Sequence, residues 1–265
     1  MSVLVVIPAR YGSTRFPGKP LARLCGKPVI QHVYERVAQA QRAETVVVAT
    51  DDRRIVEAVE RFGGKAVMTS ADARSGTERA AEVARGCDAS VIVNVQGDEP
   101  LVRSEMIDQL AEYLERHQAV PMASLRTRCE RAEEIASPHV VKVVVDREGF
   151  ALYFSRASIP FAREGARGEG RGAREDQRGV RPVPRAPCPV PLHWKHVGVY
   201  GYQRHFLLQF PYLEPTPLEQ LEQLEQLRAL EHGYRIQLLE TPHDTVGIDT
   251  PEDLQRVEAF LAGRS

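Results

Sequence analysis

The strongest constraint on the fold lies in residues 3–21, where a fully apolar run is followed directly by a loop rich in Gly, Ser, Arg and Lys. An α/β sheet presents a phosphate-binding loop in this way, at the carboxyl end of its first strand. Two common nucleotide loops are excluded, because five residues separate Gly12 from Gly18, Pro20 follows Lys19, and no G-x-G-x-x-G occurs. The segment therefore predicts a different kind of nucleotide loop.

This loop carries three cations, Arg10, Arg15 and Lys19, which could neutralise a triphosphate. Backbone N–H groups near Gly12 and Ser13 could approach the phosphate oxygens closely. The alternative is a basic surface turn after a buried strand, but the density of cations and small residues favours the phosphate loop.

Length and charge limit the classes of protein that fit. A chain of 265 residues is near the upper size for a single core, so we expect one large α/β domain with a smaller lobe. The net charge of −1 provides no field that would attract nucleic acid or an anionic membrane. No basic leader is present, and no apolar run approaches the roughly 20 residues that span a bilayer. We therefore expect a cytoplasmic protein with no nucleic-acid or membrane partner.

Short apolar runs alternate with helical patterns in the first half of the chain. Predicted strands cover residues 3–7, 45–49 and 91–95, and predicted helices cover residues 28–40 and 53–62. This alternation predicts right-handed βαβ units and a largely parallel sheet. The run at 91–95 is almost wholly apolar, as a strand buried on both faces is, so we expect it to be central.

The second half has an α+β pattern. Further strands are predicted at residues 140–146, 151–154, 197–202 and 235–239, and further helices at residues 104–117, 215–232 and 251–261. Within the helix at 215–232, a leucine recurs at every third position from Leu218 to Leu227. Three residues turn an α-helix by about 300°, so these leucines drift around the helix. We expect neighbours on more than one side of it, and not a coiled coil.

Between about residues 162 and 191, the composition changes to Arg, Gly, Glu, Pro and Ala, with almost no large apolar side chain. Such a stretch cannot bury enough surface to offset its ordering entropy, which predicts a mobile insertion. Its arginines make RNA contact the alternative, but no aromatic residue interleaves them and acidic residues dilute them.

We place a core lobe at about 1–135 plus 235–265 and a second lobe at about 136–234, within a single domain of residues 1–265. The four cysteines are dispersed and indicate neither a zinc site nor disulfides.

Two aspartates that follow strand-like segments are candidate metal ligands. Asp98 comes after the run at 91–95, at the edge where ligand crevices open in α/β sheets. Mg²⁺ is a hard cation that is bound through one or two carboxylates plus substrate phosphates. Asp249 precedes a helix start that Thr250 caps, and capping does not explain Asp249 itself. The structural alternatives are an Asx turn at Asp98 and a simple helix entry at Asp249, and for Asp249 the two interpretations are equally open.

Other polar residues are ambiguous from local sequence. Residues 74–79 place hydroxyls and a glycine at a helix start, which could hold an anion or the polar edge of a base. Alternatively, Ser75 or Thr77 simply caps the helix. Three polar residues on strand-like segments of the second lobe are, taken singly, more often structural than ligand contacts: Arg156, His196 and Tyr200.

Together, these segments resemble the nucleotide-sugar cytidylyltransferases, and most closely the branch that activates the eight-carbon sugar acid 3-deoxy-manno-octulosonate (Kdo). The similarity covers almost the whole chain, with the insertion as the exception. It rests on IPARYGSTR at 7–15, PGKPL at 17–21, ATD at 49–51, SGTER at 75–79, VNVQGDEP at 93–100, YFSRA at 153–157, HVGVYGY at 196–202, LEQLR at 224–228 and GIDTPEDL at 247–254. Two positions depart from the family pattern: Ala73 stands where a His is common, and His139 where an Asn is common.

The resemblance implies a Rossmann-like nucleotidyltransferase with a mostly parallel central sheet and a smaller α+β dimerisation lobe. It implies CTP and Kdo as substrates, Mg²⁺ as the cofactor and a homodimer. The residues that it implies for the CTP triphosphate are Arg10, Ser13, Arg15 and Lys19, and those for cytosine are Arg74 and Ser75. Mg²⁺ would be held by Asp98 and Asp249. The residues implied for the sugar are Gln96, Arg156, His196, Tyr200, Glu225 and Gln226.

The implied reaction makes CMP-Kdo for lipopolysaccharide biosynthesis. An anomeric hydroxyl attacks the α-phosphorus in line, which requires positioning and charge neutralisation more than a protein nucleophile. Arg10, Arg15, Lys19 and Asp98 would carry this chemistry. The alternatives are a cytidylyltransferase for another ulosonic acid, such as sialic acid or 8-amino-Kdo, and a non-catalytic nucleotide-binding protein with the same fold. The block around His196 favours Kdo, and the presence of both aspartates favours an enzyme.

Overall fold

The structure is a computed structural model that describes residues 2–12, 15–161 and 193–263. Ser13 and the whole of the proposed insertion therefore lie outside the described residues. In chain order, the elements are β1 (Val3–Pro8), β2 (Arg23–Leu24), β3 (Lys27–Pro28), α1 (Val29–Val37), β4 (Thr45–Thr50), α2 (Arg53–Arg61), β5 (Ala66–Met68), α3 (Gly76–Arg85), β6 (Val91–Asn94), α4 (Ser104–Arg116), β7 (Met122–Arg128), α5 (Ala132–Ala136), β8 (Lys142–Val145), β9 (Ala151–Ser155), β10 (Trp194–Gln203), α6 (Arg204–Gln209), α7 (Pro217–Glu222), α8 (Gln226–Glu231), β11 (Ile236–Glu240) and α9 (Pro251–Ala262).

Nine strands in the described ranges form one mixed sheet with the order β11-β7-β10-β6-β1-β4-β5, and β8 and β9 join it through β10. Strand β1 is parallel to β4 and β6, β4 is parallel to β5, and β11 is parallel to β7. Strand β10 is antiparallel to both of its main neighbours, β6 and β7. The predicted α/β fold is confirmed, with parallel strands throughout the half that carries the first loop.

The central strand β1 is apolar on both faces, and all six of its residues are buried. Val5 and Ile7 pack in one core cluster with residues of α1 and α4. Leu4 and Val6 pack in a second cluster with alanines of α3. Helices on both faces explain why this strand is a continuous apolar run in the sequence and not an alternating one.

The carboxyl ends of β1 and β6 lie next to each other because the two strands are parallel neighbours. The N–H of Gly97, just after β6, donates to the Pro8 carbonyl at 3.2 Å. A Cβ atom at residue 97 would lie 2.8 Å from that carbonyl oxygen, so glycine is required for the approach. The first loop and the turn that contains Asp98 therefore share one edge of the sheet.

The single helix expected over residues 215–232 is wrong. The structure has two short helices, α7 and α8, and Gln223 between them is left-handed with a φ of 54°. The leucine spacing supplies the reason: Leu221 is 80% exposed, whereas Leu224 and Leu227 are buried. One straight helix could not bury leucines that drift around its axis, and the left-handed residue redirects the chain so that the later ones reach the core.

The strand expected at residues 197–202 belongs to the main sheet. It is longer than predicted, and its register with β7 is interrupted between Val197 and Tyr200. Its second half pairs with β6, where Tyr200 lies opposite Asn94, and its first half pairs with β8. The division into two lobes stays a prediction, since one sheet runs through both. Local pattern predicts a strand, but long-range packing selects the strand's partners.

The other predicted elements are present, with bounds that differ by up to three residues. Strands β2, β3, β5 and β7 and helices α5 and α6 were missed because they are short or lack a clean period. None of the helices in the described ranges is both long and apolar enough to cross a membrane. Among the described residues, Cys25, Cys87 and Cys129 are free cysteines.

Candidate active site

A cavity of about 270 Å³ opens at the carboxyl edge of β1 and β6. Its walls are the loop after β1, the start of α3, the turn after β6 and the segment before α9. The structure brings together here the following predicted residues: Arg10, Arg15, Lys19, Arg74, Ser75, Gln96, Asp98 and Asp249. Ser13 lies outside the described residues.

Lys19 is placed by its local backbone. Gly18 has a φ of 72°, and Pro20 helps to form a short 3-10 turn over Lys19–Leu21. Only 9% of Lys19 is exposed. Its Nζ lies 2.5 Å from Oδ2 of Asp98 and 3.2 Å from Oδ1 of Asp249. One protein cation therefore bridges the two carboxylates that the sequence singles out.

The two aspartates converge on one point because backbone contacts join their segments. The N–H of Ile248 donates to the carbonyl of Asp98 at 2.9 Å. The N–H of Asp249 donates to Oδ2 of Asp253, at the start of α9, at 3.0 Å. Thr250 and Asp253 form a capping box that fixes this helix start. Asp249 is thereby held at the end of a rigid element and opposite Asp98.

The donor set at this point fits Mg²⁺. The Lys19 ammonium marks a position from which a cation contacts both carboxylates. Within the part of the chain that the structure describes, no cluster of three or more His, Cys, Asp or Glu residues is present. Two carboxylate ligands suit Mg²⁺, which takes its other ligands from substrate phosphates and water.

Two arginines border the cavity on its solvent side. Arg15 Nη2 lies 3.1 Å from Oδ2 of Asp249, and 62% of its side chain is exposed. Arg10 is also exposed and lines the cavity. A polyphosphate could therefore reach both guanidinium groups from solvent and form charge-assisted hydrogen bonds with them.

The start of α3 forms another wall. The Ser75 Oγ accepts a hydrogen bond from the N–H of Glu78 at 3.2 Å, so the capping interpretation is correct for this residue. Ser75 nevertheless lines the cavity. Arg74 pairs with Glu78 at 2.6 Å, with 63% of its side chain exposed. A Cβ at Gly76 would lie 2.9 Å from the Pro8 ring, which shows how closely this helix start packs on β1.

Arg79 is a cavity residue that the sequence reasoning did not assign a role. It is 4% exposed, and its Nη2 lies 2.6 Å from Oδ2 of Asp51 at the end of β4. Its Nη1 donates to Oγ1 of Thr69 and to the carbonyl of Ser70. This buried cation ties α3 to the ends of β4 and β5. The sequence signal that could have identified this pair was Asp51 of the ATD block, an aspartate at a strand end for which a cationic partner could be sought.

A second group of predicted residues lies around β10 and the start of α8. The ring centroids of His196 and Tyr200 are 5.2 Å apart. His196 Nε2 lies 2.9 Å from Oγ of Ser124 on β7, and burial lowers the pKa of His196 to about 3, so that its imidazole is neutral. Burial and the nearby charge of Glu225 raise the pKa of Tyr200. These groups can exchange hydrogen bonds with a neutral hydroxyl.

Several buried polar atoms near this group have no hydrogen-bond partner among the described residues. They are both polar side-chain atoms of Asn94, Nε2 of Gln226 and Oε2 of Glu99. Burial and the adjacent Asp98 raise the pKa of Glu99 to about 7. Unpartnered buried polar groups are uncommon in proteins and costly, which makes this region suitable for a hydroxyl-rich ligand. Asn94 and Glu99 stand in the VNVQGDEP block but were not predicted as site residues.

Arg156 is not brought into either group. Its Nε donates to the Glu222 carbonyl at 2.8 Å, and its Nη1 donates to the Pro138 carbonyl at 3.0 Å. Its backbone N–H donates to the Glu222 carboxylate. In this structure the side chain therefore holds the end of α7 against the 137–138 turn.

Comparison with known proteins gives a consistent result. A family model described as cytidylyltransferase matches residues 4–236. A protein of Syntrophotalea carbinolica named 3-deoxy-manno-octulosonate cytidylyltransferase is 52% identical over 263 residues, which are 99% of this chain and 100% of that one. A protein of Geobacter sulfurreducens with the same name is 49% identical over 257 residues, covering 97% and 98% of the two chains.

Solved structures agree. The structure of CMP:2-keto-3-deoxy-manno-octonic acid synthetase complexed with CTP superposes with a TM-score of 0.86 at 41% identity and covers 100% of both chains. A 4-diphosphocytidyl-2C-methyl-D-erythritol synthase from Anaerococcus prevotii has a TM-score of 0.60 at 10% identity, covering 98% and 96% of the two chains, and shows the fold alone. The sequence blocks, the paired aspartates at the sheet edge and these similarities together establish that the chain belongs to the cytidylyltransferase family, in the group of the 3-deoxy-manno-octulosonate cytidylyltransferases.

Proposed function

We propose that this protein transfers CMP from CTP to Kdo, with release of pyrophosphate. The observation that carries the reaction class is the convergence of Asp98 and Asp249 on one cation, at the edge where the basic first loop ends. Relatives named for Kdo activation match over the whole chain, and the similar structure is complexed with CTP. The product, CMP-Kdo, would supply lipopolysaccharide biosynthesis.

The triphosphate would lie along the basic loop. Arg10, Arg15 and Lys19 would neutralise its charge, and the start of α3 at Ser75 would face the nucleoside. Asp98 and Asp249 would hold Mg²⁺, which when bound neutralises phosphate charge and lowers the pKa of a coordinated hydroxyl. Lys19 would then exchange its carboxylate partners for phosphate oxygens.

The chemical step follows from this placement. The anomeric oxygen of Kdo forms a bond to the α-phosphorus, the bond from that phosphorus to the bridging oxygen breaks, and pyrophosphate leaves with its electron pair. The proton of the attacking hydroxyl passes to water. No protein nucleophile is required, because the site contributes orientation and positive charge.

The sugar would lie near β10 and the start of α8. Kdo is rich in hydroxyl groups, and this region offers a neutral His196, a protonated Tyr200 and the carboxylate of Glu225. The unpartnered atoms of Asn94 and Gln226 would gain partners from the same ligand. Arg156 would act on the sugar side only if its present carbonyl contacts were exchanged.

We further propose that the protein is a homodimer and acts in the cytoplasm. Strand β9 pairs only with β8 among the described strands, so it leaves an open edge. Leu152 on β9 is 62% exposed, and Leu221 on α7 is 80% exposed. A second copy of the chain would remove this apolar surface from water.

The experiment that tests the function is pyrophosphate release from each of the four ribonucleoside triphosphates, combined with Kdo, 8-amino-Kdo and sialic acid. We expect activity with CTP and Kdo in the presence of Mg²⁺ and its loss when EDTA removes the metal. Equal activity with ATP, or no activity with any ulosonic acid, would contradict the proposal. A clear preference for 8-amino-Kdo or sialic acid would reassign the sugar and leave the reaction class unchanged.

A further inference from the structure

Thr77 links the nucleotide side of the site to the sugar side. It lies in the first turn of α3, two residues after Ser75, but does not itself line the cavity. It is 4% exposed, and its hydroxyl donates to Oε2 of Glu225 at 2.5 Å. A contact this short between a buried hydroxyl and a carboxylate is a charge-assisted hydrogen bond.

The contact belongs to a small network that joins three elements. The Ser75 hydroxyl, at the same helix start, also lowers the pKa of the Glu225 carboxyl. Thr77 and Glu225 both influence the pKa of Tyr202, a buried residue of β10. Helix α3, strand β10 and the start of α8 thus meet around Thr77.

Glu225 needs such support. It lies just before α8, after the left-handed turn at Gln223, in a short connection between two helices of six residues each. Burial raises its pKa, and the nearby Ser75 and Thr77 hydroxyls oppose that rise. Without a donor, a buried carboxylate either takes up a proton or turns toward water.

We infer that Thr77 is a positioning residue for sugar binding: by hydrogen bonding to Glu225 it holds the Glu225 carboxylate ionised and oriented toward the sugar acid. This inference rests on the proposed function. Because Ser75 lines the cavity proposed for CTP and Thr77 donates to Glu225, one helix start would serve both the nucleotide and the sugar. Thr77 contributes through Glu225 and makes no contact with the reacting atoms.

The other charged and titratable groups around Glu225 are compatible with this role. Those that interact with it electrostatically come from α7, α8 and β10: Glu219, Arg228, Tyr200 and Tyr202. Arg228 is engaged by the Glu219 carboxylate, with Nη2 at 2.5 Å from Oε1. Arg228 lowers the pKa of Glu225, but less than the two hydroxyls do.

The test uses Thr77→Val, which keeps the shape and removes the hydroxyl, and Thr77→Ser, which restores a hydroxyl. Thr127→Val is the matched control, because Thr127 is a buried threonine of β7 that does not line the cavity. For each variant, kcat and the KM for Kdo are measured at saturating CTP, together with the Kd for CTP by calorimetry and the melting temperature. The pH dependence of kcat/KM for Kdo is recorded from pH 5 to 9.

We expect Thr77→Val to raise the KM for Kdo by about tenfold, as loss of a hydrogen bond to a charged group does, and to leave the Kd for CTP within about twofold. The acid limb of the profile should move to higher pH, because Glu225 loses a donor that lowers its pKa. Thr77→Ser should restore both values, and Thr127→Val should change neither. In a Glu225→Gln background, Thr77→Val should add little, since the two residues act as one unit.

Several results would overturn the inference. One is an unchanged KM and acid limb in a folded Thr77→Val variant, and another is full additivity with Glu225→Gln. If Thr77→Val does not fold, a Thr77→Ser variant with a raised KM and a normal melting temperature overturns it equally. An inactive wild-type protein would remove the proposed function and this inference together, whereas an active wild type with an unaffected Thr77→Val removes only the inference.

Discussion

Replacement of Asp98 by Asn separates the metal role of this residue from its role in the turn. The amide has nearly the same shape, so the backbone contacts of the turn, including the bond from the Ile248 N–H to the Asp98 carbonyl, remain available. Lys19 loses its partner at 2.5 Å but keeps Asp249 at 3.2 Å, so it is not left buried without a counter-charge. We therefore expect the free energy of unfolding to change by no more than about 1 kcal/mol.

The effect on catalysis should be much larger. Asp98 supplies one of two carboxylates at the cation position, and an amide oxygen is a weak substitute for a charged ligand of Mg²⁺. Loss of one preorganised electrostatic group typically lowers kcat by about 10²–10³, or about 2.7–4 kcal/mol of transition-state stabilisation. We expect a loss of at least this size for Asp98→Asn.

The assay is continuous pyrophosphate release at saturating CTP and Kdo, with Mg²⁺ raised until the rate is constant. Urea unfolding checks that the variant is folded. Asp244→Asn is the control, because Asp244 pairs with Lys195 at 2.8 Å and does not line the cavity, and it should retain activity within about twofold. Turnover of Asp98→Asn above a tenth of the wild-type value would show that Asp98 is only a turn residue.

Three further predictions concern stability, assembly and the inserted segment. Burial lowers the pKa of His196 to about 3 in the folded state, below the usual 6.5, so between these pH values the unfolded state binds more protons and the free energy of unfolding falls as the pH falls. His196→Gln should reduce this pH dependence, measured by urea unfolding at pH 7 and pH 5. An equal pH dependence in the variant would refute the lowered pKa of His196. Light scattering at micromolar concentration should give a dimer mass for the wild type and a monomer for Leu152→Lys with Leu221→Glu, and a monomeric wild type would contradict the dimer. Replacing residues 164–189 by a short Gly/Ser linker should leave kcat and the KM for Kdo unchanged, because that stretch has almost no large apolar side chain. A large loss of kcat in a linker variant that still melts cooperatively would show that residues 164–189 take part in turnover.

Local sequence was a good guide wherever the signal is short-range. The apolar run at residues 3–7 predicted a strand buried on both faces, and the structure has one. The glycines and cations that follow predicted an anion-binding loop at the sheet edge, and Arg10, Arg15 and Lys19 all line the cavity there. The capping box at Thr250 was also correct, because a cap depends on residues three positions apart.

Local sequence failed where residues far apart in the chain decide the outcome. The pattern at 215–232 continued through Gln223, but burial of Leu224 and Leu227 required a left-handed residue there. Arg156 was grouped with the sugar residues by family resemblance, and this role stays a prediction; the sequence did not show that its guanidinium contacts the carbonyls of Glu222 and Pro138. Neither the left-handed turn at Gln223 nor the contacts of Arg156 produce a periodic pattern that a single sequence could display.

By itself, then, the sequence determined the α/β class, the basic loop after β1, the two aspartates at the sheet edge and the family, because these depend on local periodicity and on short blocks of residues. Only the tertiary structure decided that β10 lies between β6 and β7, that Arg79 joins Asp51, and that Thr77 bonds Glu225 across 148 positions of the chain. Buried polar groups must be paired in a packed interior. Their partners are the groups that lie near them in space, which can be far away along the chain.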